Sequence, residues 1–397
     1  MGSIKYNYLA FFMFRFLSKI KSLLVLLTIF NPAFHYIFCQ TIHFKQINTV
    51  DGLANNNIND IIQDKIGFIW FATDDGLNRF DGYTFKVFRN DSNDKNSISN
   101  NSVMALREDR QGKIWIGTKN GFVNRYDPVL DQFTCWKIKS KEKVEISITY
   151  ILEDSKNKIW IGTYRDGIFR LDPKNGKLDH WCHNEKESFS LSNNYISCIL
   201  EDYRGKIWIS TYNGLNEYDP QTGDKFVRYF KYSNGYNSIR DNIIWSLTKS
   251  TADSNMIYIG TAEGLTVYRI DTKFFSQIKL PNDKNLQFSA SAGSVIEEFN
   301  GEEKILWIDS YAGLIKFNMQ NRQSSRFTYE QNKPTSLTSN QINRMMKDKS
   351  GVIWIATNKG VNLFSPKSLK FNTRLLRSNK LWNEKTLLGS CIRIQHS

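Results

Sequence analysis

One five-residue phrase constrains this chain more than anything else in it. Ile114-Trp115-Ile116-Gly117-Thr118 returns as Ile159 to Thr163, as Ile207 to Thr211 with Ser210 for Gly, as Ile69 to Thr73 and as Ile353 to Thr357. Two drifted copies, Ile257-Tyr258-Ile259-Gly260-Thr261 and Leu306-Trp307-Ile308-Asp309-Ser310, fill the remaining gap. The anchoring aromatics are Trp70, Trp115, Trp160, Trp208, Tyr258, Trp307 and Trp354, spaced by 45, 45, 48, 50, 49 and 47 residues. A period of that length is the signature of a repeat architecture.

Each copy holds four short apolar runs, in the second copy Ser102 to Arg107, Lys113 to Thr118, Phe122 to Tyr126 and Gln132 to Trp136. The links between them carry the Asp, Gly, Asn and Pro of tight turns, as in Asp109-Arg110-Gln111-Gly112 and Lys119-Asn120-Gly121. Runs this short with links this tight predict an antiparallel meander of four strands rather than helices. One such sheet cannot bury both faces, whereas seven arranged radially can. The expected fold is therefore all-β, a seven-bladed β-propeller of four-stranded antiparallel blades. The ring aromatics recur at one register, so they read as anchors in the joints between blades. A buried indole removes roughly 150–250 Å² from water. The Gly and Thr that follow read as small residues for a crowded seam.

The pattern Asp-x-x-Gly-x-Ile-Trp-Ile-Gly-Thr-x-x-Gly-Leu-x-x-Tyr-Asp-Pro, as in Asp202 to Pro220, resembles the two-component regulator propeller repeat. So does the lead-in Ser190 to Asn194 (Ser-Leu-Ser-Asn-Asn), echoed at Ser97 to Asn101 and Ser336 to Asn340. The resemblance covers roughly residues 42 to 375. It implies the N-terminal, periplasmic sensor region of a hybrid two-component histidine kinase of the Bacteroidetes type. In that family a second propeller, an immunoglobulin-like module, a membrane helix and the kinase follow. The tail from Leu375 to Ser397 holds none of these, so the chain reads as the first propeller of a longer receptor or a truncated relative.

Residues 1–39 read as a secretory signal or uncleaved N-terminal anchor, with Arg15, Lys19 and Lys21 ahead of the apolar run Leu23 to Phe30 and a cleavage point at Cys39-Gln40. The propeller is expected over residues 40–375 and an irregular tail over 376–397. Residues 42–47 align with the fourth strand of other copies, which predicts closure of the ring by the N-terminal strand; Leu369 to Thr373 competes for the same slot. Blades five and six lack the Asp-x-x-Gly turn, at Thr251 to Asn255 and Asn300 to Lys304, and are expected to carry irregular loops. Aromatics make up 14% of the chain with only 7 prolines, which excludes disorder. The formal charge of +14 is scattered through turns, four of the positive residues lying in 1–39, so it does not mark a nucleic-acid site. Cys135, Cys182, Cys198 and Cys391 show no framework spacing and read as buried thiols.

The segment His180-Trp181-Cys182-His183 looks like a metal cluster, but on a strand His180 and Cys182 share one face while His183 takes the other. It reads as a structural pair. The recurring acids Asp64, Asp109, Asp154, Asp202 and Asp348 read as turn caps. No catalytic motif occurs, so no catalytic residue, metal or cofactor is expected, and the chain is not expected to be an enzyme although full-length relatives are histidine kinases. The turns between second and third strands emerge on the side of the links into the next blade and vary in charge and aromaticity. They make the candidate binding face: Tyr212 and Tyr311 to stack on sugar rings, Lys119, Arg165 and Lys359 to meet anionic groups. The expected function is periplasmic sensing of a polysaccharide-derived oligosaccharide, or docking of another propeller or sensor domain. The alternatives are a secreted lyase or glycosidase and a purely structural scaffold. Partners exclude nucleic acid, allow a homodimer, and include the inner membrane only through an uncleaved N-terminal segment or a C-terminal region absent from this chain.

Overall fold

A computed structural model describes residues 42–140, 146–221, 223, 225–233, 236–280 and 292–366. The expected signal, the 376–397 tail and the competing strand Leu369 to Thr373 lie outside the described residues. The described chain forms seven four-stranded antiparallel sheets with neighbouring first strands in contact, the propeller predicted from the repeat. In blade two the strands run Val103–Glu108, Ile114–Thr118, Phe122–Asp127 and Gln132–Lys137, within a residue or so of the apolar runs. Among the described residues no helix is long and apolar enough to cross a membrane.

Closure is by the N-terminal strand. Lys45–Ile47 pairs antiparallel with the third strand of blade seven, Gly360–Phe364, in the register Lys45 to Leu363. Gly360 turns at φ 114°, and a Cβ there would lie 2.8 Å from the Ile47 carbonyl oxygen, so only glycine fits this crossing. Asn343 Nδ2 of blade seven then donates to the Ile58 carbonyl of blade one at 2.8 Å. The first and last strands of the described ring thus share one blade, with the three-residue strand Lys45–Ile47 as its outermost strand.

The seven aromatics are all buried, Trp354 being the most exposed at 6%. Each packs into the next blade: Trp70 lies against Tyr126 at 5.5 Å between centroids, Trp160 against Tyr218 at 5.3 Å and Trp307 against Phe364 at 4.8 Å. The Gly after the aromatic is dictated by crowding, since a Cβ on Gly117 would come 2.4 Å from Ile148 of blade three. The Thr is fully buried, and it has a job beyond being small. Its hydroxyl donates to the carbonyl that closes the second-to-third-strand turn, as Thr73 does to Gly76 at 2.8 Å and Thr357 to Gly360 at 2.7 Å.

The recurring Asp caps its turn and also holds the indole. Asp64 Oδ1 accepts from the Gly67 and Phe68 backbone N–H, while Oδ2 accepts from Trp70 Nε1 at 2.8 Å. The same two-handed contact joins Asp109 to Trp115, Asp154 to Trp160, Asp202 to Trp208 and Asp348 to Trp354 at 2.8–3.0 Å. The spacing of six residues makes this partnership local. A buried indole N–H without it would carry a desolvation penalty of about 1–3 kcal/mol.

Blades five and six satisfy their rings otherwise. Tyr258 donates to Glu297 of blade six at 2.7 Å, and Trp307 Nε1 donates to Glu298 Oε2 at 2.7 Å. The irregular loop expected in blade six between Asn300 and Lys304 is instead a tight hairpin. Val295–Asn300 pairs without a break against Glu303–Ser310, turning at Gly301-Glu302 with Gly301 at φ 64°. Without the capping Asp, the ladder simply runs on. The cysteines also depart from expectation: Cys198 is buried, Cys182 lies just beyond its strand and is partly exposed, and Cys135 is exposed because its side chain faces out of an outermost strand. None of the three is disulfide-bonded.

Candidate functional site

The first strands of six blades carry a bulge at one register, with Asn59, Met104, Thr149, Ser197, Trp245 and Asn343 as the unpaired residues. A bulge re-aims the side chain of its extra residue. Here it turns each toward the mouth of the central channel, and all six line one cavity of about 420 Å³. Most of them stitch the ring together. Asn59 Nδ2 donates to the Val103 carbonyl, Thr149 Oγ1 to that of Ile196 and Ser197 Oγ to that of Ile244, at 2.6–2.8 Å.

Blade five breaks the pattern. Its bulge residue is Trp245, and the stitch passes to Ser246, whose Oγ donates to the Gly293 carbonyl at 2.5 Å. The Trp245 indole N–H is buried and has no hydrogen-bond partner among the described residues. Its ring sits between two others, Tyr212 at 5.4 Å and Tyr311 at 5.6 Å, both edge-on. The series continues from Tyr212 to Tyr195 at 5.7 Å, stacked, and on to Tyr164 at 4.7 Å. Five rings from blades three to six thus form an arc along one side of the channel mouth. Tyr164, Tyr212 and Tyr311 remain exposed, Tyr311 at 51%.

The floor is polar. Asp309 stands where other blades carry Gly, Ala or Ser, and it reaches across to accept from Ser294 N at 3.0 Å and from the Ser294 hydroxyl. A Cβ on Gly293 would fall 1.5 Å from Asp309 Oδ1, so the two positions are matched. Burial pushes the Asp309 carboxyl up to about 6 against these hydrogen bonds. Arg344 from blade seven donates through Nε to Asp60 Oδ1 at 3.0 Å and lies 5.2 Å from the Tyr150 ring centre. Burial opposes its charge, but Asp60 beside it raises its pKa overall. Ser246, Ser294 and Arg344 also line a second cavity of about 200 Å³ deeper along the first strands.

The structure divides the residues read from the sequence. Tyr212 and Tyr311 come together on the cavity, bridged by Trp245. Arg165 lies outside the cavity lining, 5.3 Å from the Tyr164 ring at the end of the arc. Lys119 and Lys359 also lie outside that lining; Lys359 sits 5.9 Å from the Tyr329 ring. Sequence reasoning missed Trp245, Asp309 and Arg344 as a set. Trp245 was detectable as the one large aromatic at a position where other blades place Asn, Met, Thr or Ser.

The two-component regulator propeller family matches residues 52–75, 97–120, 144–165, 190–213 and 336–359, the lead-ins and second strands of blades one to four and seven. Histidine kinase P4 of Formosa agariphila is 52% identical over 54 residues, 14% of this chain and 4% of the kinase. The extracellular domain of a hybrid two-component system from B. thetaiotaomicron shares the fold at a TM-score of 0.66 and 24% identity, over 82% of this chain and 42% of that one. Virginiamycin B lyase from Staphylococcus aureus shares it at a TM-score of 0.59 and 13% identity, over 82% and 99%. The chain thus spans less than half the length of the hybrid-system domain, and the likenesses to solved structures establish the ring. Five of the seven blades thus carry the two-component regulator propeller repeat.

Proposed function

We propose that this propeller is the extracytoplasmic ligand-recognition module of a two-component sensor, and that an oligosaccharide is its ligand. The observation that carries the reading is the aromatic arc on the channel mouth, centred on an indole N–H with no partner among the described residues. Apolar faces of sugar rings stack on aromatic rings, and a sugar hydroxyl is the acceptor a buried indole N–H lacks. A cavity of about 420 Å³ is of small-ligand size. The match of five blades to a repeat named for two-component regulators supports a sensory rather than a housekeeping role. Periplasmic placement follows from the same reading together with the basic and apolar N-terminal sequence.

One observation favours an enzyme as the second reading. Asp309, whose carboxyl burial pushes up to about 6, is among the residues lining the cavity. Calorimetric titration of the full chain with a panel of neutral and uronic-acid oligosaccharides, with product analysis alongside, tests both. Binding without turnover that is abolished in Trp245→Ala plus Tyr212→Ala supports recognition at the arc. Turnover lost in Asp309→Asn assigns the enzyme instead. Absence of binding across the panel, or affinity unchanged in the double variant, overturns the oligosaccharide reading.

A further inference from the structure

The sequence places His180 and Cys182 on one face of the fourth strand of blade three; the fold adds a third donor to them. Asp166 belongs to the turn between the second strand, Ile159–Tyr164, and the third, Ile168–Leu171. Arg165 adopts φ 87° in that turn, and a Cβ on Gly167 would lie 2.2 Å from the Trp181 carbonyl oxygen, so the turn is pressed against the outer strand. The Asp166 side chain consequently points inward and is 1% exposed. Its Oδ1 lies 3.6 Å from His180 Nε2 and 3.8 Å from Cys182 Sγ, and the thiol and imidazole are 3.0 Å apart. Asp166 Oδ2 is buried with no hydrogen-bond partner among the described residues.

An orphaned carboxylate oxygen in a buried site asks for a cation. Three ligand atoms on one tetrahedral zinc, at bonds of about 2.0–2.3 Å, stand some 3.3–3.7 Å from each other. The observed triangle is close to that size, with its short edge occupied by a thiol–imidazole contact that a metal would replace. Carboxylate, imidazole and thiolate together are a donor set suited to zinc and related borderline cations. His180 and Cys182 also line a surface cleft beside Phe189 and Phe226, which gives an entry path. The His180 ring is held face to face on Phe169 at 3.9 Å, fixing its orientation.

We infer that Asp166, His180 and Cys182 form a binding site for one thiophilic divalent cation of the zinc type, with a fourth position left open. Binding replaces the Cys182 S–H bond by a metal–sulfur bond and releases that proton to solvent. At His180 the ring proton now on Nε2, which donates to the Asp166 carbonyl at 2.8 Å, moves to Nδ1 so that Nε2 ligates. The site is independent of the channel mouth, so failure of either reading leaves the other standing.

Cobalt(II) is the probe. The full chain carrying Ser at Cys39, Cys135 and Cys391 is stripped with chelator and titrated with Co²⁺. One equivalent should bind, with thiolate-to-cobalt charge-transfer absorption, and Zn²⁺ should displace it. Cys182→Ser should abolish that absorption, and Asp166→Asn should weaken binding on the order of tenfold. Because a variant can fail to fold, Zn²⁺ protection of Cys182 against alkylation, read by mass spectrometry on the unaltered chain, gives a second measure. Absence of charge transfer in folded protein, absorption that survives Cys182→Ser, or alkylation of Cys182 at the same rate with and without Zn²⁺ would each overturn the site.

Discussion

Blades three and five solve one problem in two ways. In blade three the ring in the joint, Trp160, is held by Asp154 from six residues upstream, within one hairpin. In blade five the equivalent ring, Tyr258, is held by Glu297, which lies 39 residues downstream in the next blade. The local device closes its turn and satisfies its ring with one side chain, and it repeats wherever the turn repeats. The long-range device frees the first hairpin of blade five from the Asp-x-x-Gly pattern and ties two blades together through a buried charge. Glu297 also accepts from Ser250 and from the backbone and hydroxyl of Thr251, and it pairs with Lys304 at 2.6 Å. The departures cluster: the blades that abandoned the Asp clamp also supply Trp245, Asp309 and Tyr311 to the channel mouth.

The strongest way to break this comparison is to remove the rings themselves. Trp160→Ala should cost roughly 3–5 kcal/mol, measured by denaturant unfolding, and a much smaller loss would remove Trp160 from the role of joint anchor. Glu297→Gln should cost about 3 kcal/mol near neutral pH, because it leaves Lys304 without its charge partner in a largely buried place. Burial alone would raise the Glu297 carboxyl, but Lys304, Thr251, Tyr258 and Ser250 hold it down at about 2. Its folded pKa lies below the ordinary 4.5, so its contribution is present above pH 4.5 and is lost as pH falls toward 2. The difference between wild type and Glu297→Gln should therefore shrink across that window; a gap that is flat with pH would show that the charge is not what matters.

Asp309 runs the other way. Its folded value of about 6 lies above the ordinary 3.8, so the native state loses stability as pH rises from about 4 to 6. Asp309→Asn should be on the order of 3 kcal/mol more stable than wild type at pH 8 and equal to it at pH 4. Melting curves at the two pH values check this, and a penalty for Asn at pH 8 would mean that Ser294, Gly293 and Arg344 favour the charge by more than burial opposes it. The smallest effect is expected at Arg165→Ala, below about 0.5 kcal/mol, since the side chain is exposed and, among the described residues, meets only the Tyr164 ring. A loss comparable with that of Trp160→Ala would make the turn a structural element rather than a rim.

The contrast between local and distant partners also decides what was legible in the sequence. The ring, its seven anchors and the N-terminal closure follow from a repeated phrase, because identical units can bury their faces only by packing on one another. The Asp clamps are visible for the same reason: capping Asp and indole are six residues apart and recur. Tyr212 and Tyr311 were legible as exposed turn aromatics. Trp245 was legible only as an aromatic where other blades place Asn, Met, Thr or Ser; that it faces the channel was not, because only the bulge turns its side chain there. Asp166 was invisible beside His180 and Cys182, since a turn 14 residues away in sequence is brought against them only when the third and fourth strands of the blade pair. Periodicity alone thus determined the architecture, as strand pattern and turn chemistry are local and additive. Which residues share a cavity, which ring keeps an unanswered N–H and which carboxylate is buried without a partner were decided by the tertiary structure, because those properties depend on neighbours that the chain reaches only after folding.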